Sequence, residues 1–223
     1  MLPCLVAAAL LATGAPSPRQ VAVTFDDLPG VSVVGEGTPA MTTTTEKLLA
    51  AVRLNGVPAF LHTGRDLATK TGLETFLADR GYAVAPVTHD NSDWIFARAY
   101  ANAAGRGDPA AAARIAAAYV PYMDAKFDYF ERQSKALFSR EIPQVLLLHA
   151  NSLNADTFPE LAKMMKRRGY VFVPLAQALR DEAYGSPDTY VWPTAITCLH
   201  SWALTRGGKG LLLPMSRARP SSS

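Results

Sequence analysis

The chain has 223 residues, with 22 Lys and Arg against 19 Asp and Glu and a formal net charge of +3. That near-balance excludes a strongly basic nucleic-acid binder and an acidic solvating tail protein, and 49% hydrophobic with 18% charged residues supplies the core of one domain. Cys4 and Cys198 are too few for a disulfide scaffold or a thiolate zinc site, and no apolar run reaches the ~18 residues of a membrane-spanning helix.

Leu5–Ala12 (LVAAALLA), followed by Thr13, Gly14 and Ala15, has the apolar centre and small-residue end of a secretory signal, so residues 1–15 read as one. That implies a secreted, periplasmic or cell-envelope location. Val21–Phe25 (VAVTF) reads as a strand running into Asp26, Asp27 and the turn Leu28-Pro29-Gly30. Thr43-Thr44-Thr45-Glu46 caps a helix that Gly56 closes, and Val57–Leu61 is a second strand. Leu73–Arg80 is a helix ended by Gly81, and Tyr82–Thr88 a strand. Asp108-Pro109 opens a long Ala-rich helix with Ile115, Tyr119, Tyr122, Met123, Phe127, Phe130 and Leu137 on one face, kinked at Pro121. Gln144–Leu148 (QVLLL) is a fully apolar strand ending at His149. After it come a helix over Phe158–Arg168, a strand over Tyr170–Pro174 and a helix over Leu175–Ala183. Strands alternating with helices predict parallel pairing and an α/β architecture. Beyond Ser186 the periodic signal decays, and residues 208–223 have the composition of a disordered tail.

In parallel α/β folds ligands sit at the carboxyl ends of the strands. Asp26 and Asp27, the Asp90–Trp94 run (DNSDW) and His149 all fall there. A carboxylate pair at one strand end permits one oxygen donor to hold a metal while its neighbour acts as a base. A His oriented by a carboxylate makes a general acid.

Val21–Gly30 (VAVTFDDLPG) resembles the first motif of the polysaccharide deacetylases with the NodB homology domain, carbohydrate esterase family 4. Phe60–Asp66 (FLHTGRD), Gly81–Trp94 (GYAVAPVTHDNSDW), Leu146–Leu153 (LLLHANSL) and Arg168–Leu179 (RGYVFVPLAQAL) resemble later blocks in the same order, so that the domain spans about residues 20–207. The resemblance implies a distorted (β/α) barrel that removes acetyl groups from acetylated polysaccharide or a peptidoglycan-like glycan with a divalent metal, usually zinc. It implies Asp26 as the base, Asp27 as a metal ligand and His149 as the acid that protonates the leaving amine. Asp93 would orient His149, and Phe60, Trp94 and Leu147 would line the substrate pocket.

The family's two metal-binding histidines, in an H-[ST]-x-x-H-P type motif, have no counterpart: His62, His89, His149 and His200 are the only histidines, and no two lie within five residues of each other. The Arg of the third motif is also missing, as though strand–helix units had been lost with a join near Ala59-Phe60. The fold expected is therefore an incomplete or distorted barrel of the NodB type. A catalytic zinc takes about three protein ligands, and Asp27 supplies one, so tight metal binding is not expected and hydrolysis should be impaired or lost. Without metal, water keeps a pKa of ~15.7 instead of ~7. A non-catalytic carbohydrate-binding protein, with Trp94, Tyr100, Trp192 and Trp202 as stacking surfaces, and a non-functional deletion product are the alternatives.

Overall fold

In the computed structural model, which describes residues 18–26, 67–79, 85–191 and 197–208, the VAVTF run lies within β1 (Arg19–Asp26). It is the middle strand of a parallel sheet. β2 (Gln144–His149) pairs with it from Val21↔Gln144 to Asp26↔His149, and β3 (Tyr170–Phe172) pairs on the other side from Arg19↔Tyr170 to Val21↔Phe172. The order among the described residues is β2-β1-β3, so the helical crossover from β2 to β3 spans one strand. The parallel α/β architecture read from the sequence is present.

Around the sheet lie α1 (Leu67–Ala78), α2 (Asp93–Gly105), α3 (Pro109–Phe138), α4 (Ser152–Arg167), α5 (Leu175–Ala178) and α6 (Cys198–Thr205). Strand residues alternate in direction, so each face of the sheet meets its own set of helices. Val21, Val23 and Phe25, with Leu146 and Leu148 beside them, pack against Phe96 of α2, Tyr119, Met123 and Phe127 of α3 and Leu153, Leu161 and Met165 of α4. Ala22, Val145 and Val173 meet Ala178 of α5 on the opposite face. Burying each large apolar side chain contributes about 1.5–3 kcal/mol, and the first face carries most of them.

Local chemistry sets the helix ends. Asp108 accepts a hydrogen bond from the Ala111 N–H at 2.8 Å and Pro109 occupies the first turn, where its missing N–H costs nothing. Asn151 caps α4 in the same way, accepting from the Asn154 N–H at 2.8 Å. Gly169, at φ 85°, makes the left-handed turn from α4 into β3 that a side chain would resist. Pro121 sits within α3, which continues through it.

Several elements differ from the expectation. Residues 85–88 form no strand; the segment that continues from them meets β2 in an isolated bridge, His89↔Leu146, instead of a ladder, while 81–84 lie outside the described residues. Thr88 explains this, because its Oγ1 accepts from the Val145 N–H at 2.8 Å and so takes a donor that a ladder would give to a backbone carbonyl. The DNSDW run does not stay a loop: α2 starts at its Asp93. The Phe158–Arg168 helix begins earlier, at Ser152, because Asn151 caps it. The Leu175–Ala183 helix stops at Ala178, and Asp181 then caps a 3-10 turn, Glu182–Gly185. The Leu73–Arg80 helix is α1, starting at Leu67. α6 forms where periodicity had faded: Thr197 caps it, and Leu199 and Trp202 pack against Phe130 and Ile142. The signal segment, the Thr43–Gly56 helix, the Val57–Leu61 strand, the join near Ala59-Phe60 and the residues 209–223 of the tail lie outside the described residues.

Candidate functional site

The carboxyl edge of the sheet brings Asp26 and His149 side by side as the last register partners of β1 and β2. Next to β2, residues 88–91 run alongside the strand: the His89 N–H donates to the Val145 carbonyl at 2.9 Å and the Leu147 N–H to the His89 carbonyl at 3.2 Å. This path delivers Asp93 to the same edge. Asn91 shapes the final turn, its Nδ2 donating to the Leu147 carbonyl at 2.7 Å and its Oδ1 accepting from the Asp93 N–H at 2.9 Å.

The result is a buried carboxylate facing a histidine. Asp93 is 1% exposed, and its Oδ1 lies 2.8 Å from His149 Nδ1. Its Oδ2 accepts from the His149 backbone N–H at 2.8 Å and from Asn154 Nδ2 at 2.7 Å. Because a carboxylate accepts, Nδ1 of His149 carries the proton, and Nε2 is the nitrogen through which the ring exchanges protons. The position of Asp93 in the first turn of α2 adds favourable alignment with the helix dipole. The His149 side chain keeps 30% of its surface open, so the pair has a buried end and an accessible end.

Trp94 follows Asp93 and is 51% exposed, a large aromatic face at the rim. Leu147 is buried on β2, two residues before His149 and on the same side of the strand. Asp90 lies nearby: burial pushes its carboxyl up, while the Asn91 N–H, Lys126 and His149 oppose the shift. Asp26 is placed by its backbone alone, and Asp27 and Phe60 lie outside the described residues.

The remaining described histidines are elsewhere. His89 is buried under Phe127 and Phe130, with ring centroids 4.5 and 4.9 Å away. Burial lowers its pKa to about 3; Gln144 partly opposes the shift, though neither ring nitrogen makes a hydrogen bond among the described residues. His200 is held between Tyr129 Oη at 2.8 Å and Thr197 Oγ1 at 3.0 Å. His62 lies outside the described residues. Among the described residues no three His, Cys, Asp or Glu side chains converge on one point. Of the proposed stacking aromatics, Trp202 is corrected: it is buried against Phe138 and Tyr184 and offers no surface to a sugar. Trp192 lies outside the described residues, and the Tyr100 hydroxyl donates to Asp156 Oδ2 at 2.9 Å.

Sequence reasoning missed Tyr119 and Asn154 as members of this site and named Asn91 only as part of the DNSDW run. The available signal was modest: Asn151 and Asn154 are spaced like a cap and a first-turn residue just past His149. Comparison of the chain with protein-family models, curated proteins and solved structures gives no match. Among the described residues no helix is long and apolar enough to cross a membrane.

Proposed function

We propose that this chain is a degenerate relative of the NodB-domain polysaccharide deacetylases, one that retains a proton-handling pair and has lost the donors for a tightly held divalent metal. The observation that carries the reading is the Asp93–His149 contact of 2.8 Å at the carboxyl edge of a parallel sheet, with Asp26 ending the neighbouring strand. Parallel strands joined by helices support the ancestry in a (β/α) barrel, in which the first strand is likewise flanked by a following strand and a later one. In this reading His149 is the acid toward a leaving amine and Asp26 the base. The described donors do not fit a zinc site, since His89 and His200 are packed round Phe130, so no step is derived through a metal. Export, with residues 1–15 acting as a signal, and a substrate class of acetylated polysaccharide or peptidoglycan-like glycan belong to the same proposal.

The test is acetate release from acetylated chito-oligosaccharides, with and without added zinc. The expected result is release at background in both. Robust zinc-stimulated turnover that disappears in Asp26→Asn would overturn the loss of activity.

The exposure of Trp94 beside the pair favours a second reading, a non-catalytic protein that binds acetylated glycans. Calorimetric titration should then show affinity that Trp94→Ala weakens about tenfold, the equivalent of about 1.4 kcal/mol of ring stacking. No measurable affinity for any acetylated glycan would remove this reading.

A further inference from the structure

We propose that Asn154 and Tyr119 are positioning residues that hold the Asp93 carboxylate at the rotation in which it meets His149 Nδ1. The inference rests on the reading of Asp93 and His149 as a proton-handling pair. Asn154 is fully buried in the first turn of α4, and both protons of its amide are used. Nδ2 donates to Asp93 Oδ2 at 2.7 Å and to the His149 carbonyl at 2.8 Å. Its Oδ1 accepts from the Tyr119 hydroxyl at 2.7 Å, and Tyr119, from α3, is itself fully buried.

This network fixes the amide's orientation. Turned over, Asn154 would aim its oxygen at a carboxylate and a carbonyl, both acceptors. The Asp93 carboxylate, by contrast, has a broad terminal torsion and no rotational preference of its own. Its direction comes from the donors on Oδ2, which are the His149 N–H and Asn154. With those in place Oδ1 faces the imidazole and selects the Nδ1–H tautomer. Tyr119 in turn holds and polarises the amide that does the selecting. The site is thus assembled from β2, α2, α3 and α4.

The measurement is the tautomer of neutral His149, read from its ¹⁵N shifts in the full labelled chain at alkaline pH. The native protein should hold the Nδ1–H form. Asn154→Ala should lower the ratio of Nδ1–H to Nε2–H about tenfold, the scale of one lost hydrogen bond, and Tyr119→Phe should lower it about threefold. Tyr170→Phe, which removes a remote buried hydroxyl bonded to Glu131 Oε1 at 3.2 Å, should leave the ratio unchanged. An unaltered ratio in Asn154→Ala and Tyr119→Phe would overturn the proposal. If neither variant folds, the native chain decides: both Asn154 Nδ2 protons should exchange slowly with solvent, and rapid exchange would overturn it. These readouts do not depend on acetate release, so an inactive protein with a responsive His149 tautomer would preserve this inference while leaving the deacetylase reading to its own test.

Discussion

Lowering the pH from 7.5 to 5 should cost the fold about 2 kcal/mol through His89 alone, about one and a half pH units at about 1.36 kcal/mol each. The sign follows from burial. The His89 ring is held neutral down to about pH 3 by desolvation, whereas in the unfolded chain it takes a proton near the ordinary imidazole value of 6.5. Between those values the unfolded state binds the extra proton, so stability falls as pH falls through this window and is unaffected above it. His200, lowered to about 4 by burial and further by Lys126, acts in the same direction and by nearly as much down to pH 5. Against a typical total of about 5–15 kcal/mol this is a large fraction. His89→Leu separates the effect from carboxylate titration. It should sit within about 1 kcal/mol of the native protein at pH 7.5, since both ring nitrogens it removes lack hydrogen bonds, and should be the more stable of the two at pH 5. Parallel denaturation curves for the two proteins at both pH values would refute the argument.

Arg168→Ala should destabilise the protein by about 3 kcal/mol or more. Arg168 clasps Glu131 with two parallel bonds, Nε to Oε1 and Nη2 to Oε2, both 2.9 Å, and reaches Asp124 Oδ1 with Nη1 at 2.8 Å. The Glu131 side chain is 7% exposed and is also met by Arg19 Nη1 at 3.0 Å. This cluster ties the second half of α3 to the starts of β1 and β3, at the end of the sheet opposite His149. Deleting the guanidinium strips a buried carboxylate of two charge-assisted hydrogen bonds and leaves it only partly compensated, by Arg19 and Tyr170, and that loss is what makes the change costly. Arg168→Lys should recover only part of the loss, because an ammonium cannot reproduce the two-pronged geometry. Urea denaturation at pH 7.5 checks the point: a change below about 0.5 kcal/mol would place the cluster among ordinary surface ion pairs.

What could be read from the chain depended on how locally each feature is specified. QVLLL announced β2 because four apolar residues in a row suit a strand buried on both faces, and Asp108-Pro109 announced α3 because cap and first turn are adjacent in sequence. Gly169 marked the end of α4 for the same reason. The expected Tyr82–Thr88 strand does not form over its described residues 85–88: the apolar composition suits a strand, whereas the Thr88 hydroxyl competes for the ladder. α6 was missed because its helicity comes from burying Leu199 and Trp202 against residues far away in the chain. Within the site, Asp93 and His149 stood out as polar residues near strand ends. Asn154 and Tyr119 did not, since a buried Asn and a Tyr on a helix face carry no local mark of a network whose bonds join residues 35 and 61 apart in sequence. Trp202 shows the converse: an aromatic that composition offers to a sugar belongs to the core.

Zinc retention by the purified protein decides whether the metal site has been lost. After removal of adventitious metal and re-exposure to zinc, the protein should come through gel filtration without stoichiometric metal, because a catalytic zinc takes roughly three protein donors and among the described residues no three His, Cys, Asp or Glu side chains converge on one point. One tightly held zinc per chain, lost on Asp27→Ala, would contradict that claim and show that the site is complete.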